Sequence, residues 1–166
     1  MSSAAQVKKT NGDHRTVLPE KIIGEAGEFL KKALAVKPLA QNFEWVFDRY
    51  EKGGDFVALV AQFLDRYEMR LTELAGERLD GAAPALRAGL TYRMLYAMRP
   101  YRMRMANCAI NPLFVETYLK KRLLADVMGI KMADVERRIQ RTARKPIDYL
   151  NEELHILLPK TFLAHF

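Results

Sequence analysis

The chain has one cysteine, Cys108, and three histidines, His14, His155 and His165. A single cysteine closes no intrachain disulfide, so nothing points to an oxidising compartment. No cysteine pair and no His-x-x-x-His spacing offers zinc or haem ligands. Cys108 follows Asn107 and has no histidine nearby in sequence, which makes a buried thiol the expectation rather than a nucleophile. No glycine-rich loop runs into Lys-Ser/Thr, and Gly53-Gly54 alone makes no phosphate loop. Glu20, Glu25 and Glu28 suggest a carboxylate cluster, but a di-metal site in a helical bundle wants two Glu-x-x-His pairs. The chain supplies one, Glu152 and His155. The expectation is no metal, no cofactor and no visible catalytic motif.

Long apolar runs are also missing. Charges interrupt every candidate helix, so no transmembrane span is expected. Met1-Ser2-Ser3-Ala4-Ala5 leads into no apolar leader core, and no secretory signal is expected. A cytoplasmic or virion-interior location fits these absences, and a nuclear one is compatible. Alternation of Val, Ile and Thr is nearly absent, which predicts no β-strand, and no internal repeat is visible.

What remains is helical patterning. Of 166 residues, 49% are hydrophobic, enough for one core. Residues 1–17 read as a polar tail and 18–166 as one helical domain. Pro19 opens a helix with Ile22, Ile23, Ala26, Phe29, Leu30, Ala33 and Leu34 at helical spacing, ended by Pro38. Asn42 is positioned to cap a short helix carrying Phe43, Trp45, Val46, Phe47 and Tyr50 before Gly53-Gly54. Asp55 is set to cap a long helix over 56–79. Further helices start at Pro84, at Asn111-Pro112 and near Met132, and a last one covers 147–158. Pro100 is placed to end or kink the fourth near Arg99. The sum is an all-α bundle of six or seven helices.

The charge is unevenly placed. Between Ala85 and Lys145 stand ten Arg and four Lys against Glu116, Asp126, Asp134 and Glu136, a local balance of +10 in a chain of +7. A single-sign field of this size attracts a polyanion. Arg93, Arg99, Arg102, Arg104, Lys120, Lys121, Arg137, Arg138, Arg141 and Arg144 are the candidate phosphate contacts. Tyr92, Tyr96 and Tyr101 interleave with the first of these, adding rings on which bases stack.

Residues 125–139, ADVMGIKMADVERRI, resemble the helix-turn-helix of small repressors and response-regulator effector domains. In that resemblance Ala125 lets two helices cross closely and Gly129 makes the turn. Ile130, Val135 and Ile139 would point inward. The second helix would expose some of Arg137, Arg138, Arg141, Thr142 and Arg144 to read guanine edges or grip phosphate. Three departures stand out: Met132 where a polar cap is usual, Arg138 at an inward apolar position, and acids Asp134 and Glu136 in the first turns.

The leading expectation is a non-enzymatic protein that binds DNA or RNA through its basic centre. One alternative is a structural or scaffolding subunit, including a capsid or nucleocapsid type. Another is a helical enzyme without a visible motif. Phe43, Trp45, Phe47 and Tyr50, with Phe162 and Phe166 beyond Pro159, are the expected self-association surface of a homo-oligomer or larger assembly.

Overall fold

The computed structural model describes residues 18–36, 44–76 and 82–166. The expected tail, Pro38, Asn42 and Phe43 lie outside them. The order is α1 (Glu20–Val36), α2 (Glu44–Glu51), α3 (Phe56–Ala75), α4 (Ala83–Ala97), a 3-10 turn (Arg99–Tyr101), α5 (Arg102–Asn107), α6 (Pro112–Met128), α7 (Met132–Arg141), α8 (Pro146–Leu157) and α9 (Phe162–His165). The architecture is all α, with no strand among the described residues. The short pieces α5 and α9 add to the longer helices that patterning predicts.

Local chemistry sets the helix ends. Asp55 Oδ1 accepts the Val57 N–H at 3.1 Å, and Asn111 Oδ1 accepts the Leu113 N–H at 3.0 Å. Each cap is worth about 1 kcal/mol against alanine. Pro84, Pro112 and Pro146 sit in first turns, where a missing N–H costs nothing. The long third helix stops at Ala75 because Gly76 takes φ 59° and returns its N–H to the Thr72 carbonyl. Residues 77–79, expected inside that helix, lie outside the described residues.

Helix α4 is the centre of the bundle and packs against α1, α3 and α6. Ala85, Leu86, Ala88, Gly89, Leu90, Thr91 and Met94 are all buried, so this helix is enclosed on several sides. Helix α6 lies along it and carries α7 and α8 on its other faces. Val115, Leu119, Leu123, Leu124 and Val127 form its buried stripe. Each such side chain contributes about 1.5–3 kcal/mol by leaving water.

The structure corrects the expectation of exposed aromatics. Phe162 and Phe166 are buried within the chain, at 1% and 5% exposure. Their segment wedges between α1 and α4 because both helices carry a glycine there. A Cβ on Gly27 would meet the His165 carbonyl oxygen at 2.2 Å, and one on Gly89 would meet the Phe166 ring at 2.1 Å. The Lys31 ammonium donates to the Ala164 carbonyl at 2.7 Å. Phe162 meets Tyr92 edge-on at 5.0 Å. The α2 aromatics also turn inward. Phe47 stacks with Tyr101 at 5.4 Å, and the Tyr50 hydroxyl donates to the Cys108 carbonyl at 3.3 Å. Half-buried Trp45 packs by Phe63 at 6.1 Å, with the Arg49 and Arg66 guanidiniums each 5.4 Å from its ring. None of Phe47, Phe162 and Phe166 is free to face a second copy in this arrangement.

A charged cluster ties α3, α4 and α6 together. Arg87 lies 3.5 Å from Glu68 and 3.3 Å from Asp126, while Arg122 meets Asp65 at 2.6 Å. Burial raises the Glu68 and Asp126 carboxyls above their ordinary values of 4.5 and 3.8, although Arg87 pulls both down. Between the ordinary and raised values the folded state holds more protons than the unfolded state. Stability conferred by these groups therefore falls as pH rises through that window. Asp126→Asn removes one of the two titrations, so its urea stability should fall less than wild type over steps upward from about pH 4. Glu20 and Glu44, lowered by their hydrogen bonds, act in the opposite sense but equally in both proteins. Parallel pH profiles would remove Asp126 from this role.

Candidate nucleic-acid interface

The 125–139 segment does form two helices around a glycine turn. Gly129 takes φ 68° and ψ 34°, and the Ile130 N–H reaches back to the Ala125 carbonyl at 3.0 Å. Ala125 and Val135 are buried, and Ile130 and Ile139 are half-buried, matching their expected inward roles. Met132 does not cap α7. Asp134 substitutes from inside the helix, accepting the Lys131 N–H at 3.4 Å. Its carboxylate also takes the Arg137 guanidinium. One of the two first-turn acids that depart from the helix-turn-helix pattern is thus occupied by the helix itself.

Arg137, Arg141 and Arg144 are exposed, with Lys145 beside them. Arg137 and Arg141 are one turn apart on the same face of α7. Arg138 and Thr142 are half-buried. The inward apolar position that the resemblance assigns to Arg138 is therefore met by a half-buried charged side chain. Arg144 is held by Glu152 at 2.7 Å and by the Asp148 carbonyl at 3.0 Å. Lys121 reaches Glu136 at 4.0 Å. Arg141 has no acid within ion-pair distance among the described residues.

The candidates nearer the centre divide in two. Arg104 pairs with Glu44 and lies 4.2 Å over the Phe47 ring, fastening α5 to α2. Arg93 is half-buried. The others converge on a cleft of about 340 Å³ between the end of α4 and the first half of α6. Tyr92, Tyr96, Arg99, Arg102, Glu116 and Lys120 line it, over a floor of Leu95 and Met98. The Arg99 guanidinium lies 4.3 Å over the Tyr96 ring. Glu116 holds Lys120 at 2.9 Å and Arg102 at 4.0 Å, and Lys120 also donates to Asn151 at 2.7 Å. Burial and a hydrogen bond with Tyr96 push the Tyr92 phenol far above its ordinary value of 10, so it stays protonated.

Of the sequence-predicted cations, Arg137, Arg141 and Arg144 lie on or just beyond the α7 face, Arg99, Arg102 and Lys120 meet at the cleft, and Arg104 belongs to neither place. Glu116 and Asn151 were missed as neighbours of Lys120. The i,i+4 spacing of Glu116 and Lys120 was a readable signal, while Asn151 comes from a separate helix. Among the described residues no group of acids, cysteines and histidines is placed to hold a metal ion, and no helix is long and apolar enough to cross a membrane. Comparison with protein-family models, curated proteins and solved structures gives no significant match.

Proposed function

We propose that this helical protein binds nucleic acid, acting by electrostatic contact with the phosphate backbone rather than as a catalyst. The observation that carries the reading is the α7 face, where Arg137 and Arg141 point to solvent one turn apart and Arg144 and Lys145 extend the row. Pairing with exposed acids does not remove these cations. A surface ion pair is worth about 0–1 kcal/mol, so exchanging Asp134 or Glu152 for a phosphate costs little. The resemblance to a helix-turn-helix adds groove entry by Arg137, with Arg138 less accessible than sequence alone suggests.

The test is a salt series on wild type with duplex DNA, single-stranded DNA and RNA, from about 50 to about 200 mM. Affinity should fall linearly in log–log form on at least one polymer, with a slope that counts contacted phosphates. Absence of binding even at the low-salt end would end this reading. A second reading, an assembly subunit, draws on Leu113 and Phe114, large apolar residues exposed side by side at the start of α6.

A further inference from the structure

We infer that the α4–α6 cleft is a subsite for one unpaired nucleotide, its base laid on the Tyr96–Arg99 stack and its phosphate held by Arg99, Arg102 and Lys120. The choice of a nucleotide among organic anions rests on the nucleic-acid reading above. The cleft itself supplies three arguments.

The first is size and lining. A volume of about 340 Å³ is at the small end of ligand sites, enough for a single base with its phosphate and too little for a stacked pair. The floor of Leu95 and Met98 is apolar, and the rim is polar. Such a division suits a flat ring attached to an anion better than a bare anion.

The second is charge. Three cations and one carboxylate line the space, a balance of +2. A phosphate monoester carries about −1.5 to −2 at neutral pH. Glu116 already receives Lys120 and sits within reach of Arg102, so its charge is spent on placing those cations. Asn151 gives Lys120 a second tether. A cation fixed before the ligand arrives loses less freedom on binding.

The third is the stack. The Arg99 guanidinium carbon lies 4.3 Å from the centre of the Tyr96 ring, and Tyr96 meets Tyr92 edge-on at 5.4 Å. A guanidinium on an aromatic ring extends the π-surface and leaves its N–H edge free for phosphate. Unpaired bases stack on such surfaces with little regard to identity. Extracting a base from a duplex costs a few kcal/mol, so a single strand or a free nucleotide is the favoured source.

Calorimetric titration decides the matter with four probes: adenosine 5′-monophosphate, adenosine, inorganic phosphate and a short single-stranded DNA. The nucleotide should bind more tightly than either of its halves. Tyr96→Leu and Arg99→Gln should each weaken it roughly tenfold, in line with the loss of one stacking partner. Circular dichroism of each variant checks that these exposed substitutions leave the helices in place. Competition by the oligonucleotide assigns the nucleotide to a strand, and its failure to compete assigns a free nucleotide. Arg70→Gln, on α3 and outside the cleft lining, should leave nucleotide binding unchanged. Inorganic phosphate binding as tightly as the nucleotide, or a nucleotide affinity indifferent to Tyr96→Leu, overturns the subsite. Nucleic-acid binding that survives Tyr96→Leu and Arg99→Gln but falls in Arg137→Gln/Arg141→Gln removes a strand as the source of the nucleotide and keeps the α7 reading. Nucleotide binding without any polymer binding keeps the cleft and removes that reading.

Discussion

Phe162→Ala should lower the unfolding free energy by about 3–5 kcal/mol, a large share of the roughly 5–15 kcal/mol of an ordinary domain. The ring is 1% exposed and sits between the Tyr92 edge at 5.0 Å and Phe166 at 4.8 Å. Truncation removes a buried ring and leaves a cavity that the glycine-lined helices on either side cannot easily fill. The helix faces at Gly27 and Gly89 already touch the C-terminal segment, so they have no side chain to swing inward. Urea or guanidinium unfolding measures the loss. Phe114→Ala is the internal control: that ring is 58% exposed, and its removal should change stability by no more than about 0.5 kcal/mol. Equal effects from the two substitutions would mean that Phe162 is not packed as described.

The second large effect concerns salt. On duplex DNA each phosphate contact contributes about 0.9 to the slope of log affinity against log salt. If Arg137 and Arg141 each hold one phosphate, Arg137→Gln/Arg141→Gln should flatten that slope by roughly 2. Raising salt from about 50 to about 200 mM should then weaken wild type roughly tenfold more than the double variant. Arg70→Gln, an exposed arginine on α3 outside the basic segment, should leave the slope unchanged. An unchanged slope in the double variant would move the phosphate contacts elsewhere. Selective loss on a preferred duplex, with random duplexes spared, would instead indicate base reading.

Much of the fold was legible because its signals are local. Pro84, Pro112 and Pro146 mark helix starts, Asp55 and Asn111 cap, and Gly129 turns, each through chemistry within a few residues of itself. The apolar stripe of α6 follows from spacing alone. The fate of Phe162 and Phe166 was not legible. Their burial depends on Gly27 and Gly89, whose role is to be small where a distant segment arrives. A glycine inside a helical pattern reads as a weak helix former, not as a socket. The charge concentration was visible, but its division was not. Arg104 carries the same charge as Arg141, yet one fastens α2 while the other faces solvent, and that depends on where Glu44 comes to lie. Tyr92 is legible as a stacking ring and Arg99 as a phosphate contact. The cleft that joins them to Lys120 exists only once α4 and α6 are side by side.

The wedge of α9 has a consequence for timing. Tyr92 lines the cleft on one side and rests against Phe162 on the other, and the segment carrying Phe162 is tied to α1 by a hydrogen bond spanning 133 positions of sequence. Contacts of that span require closing a long loop and form slowly compared with the helices themselves. A refolding chain therefore regains its helices before it regains the wall of the cleft. Its positive charge, by contrast, is present from the start. On the proposed nucleic-acid reading, the immature chain would attract any polyanion, and discrimination would belong to the finished fold alone.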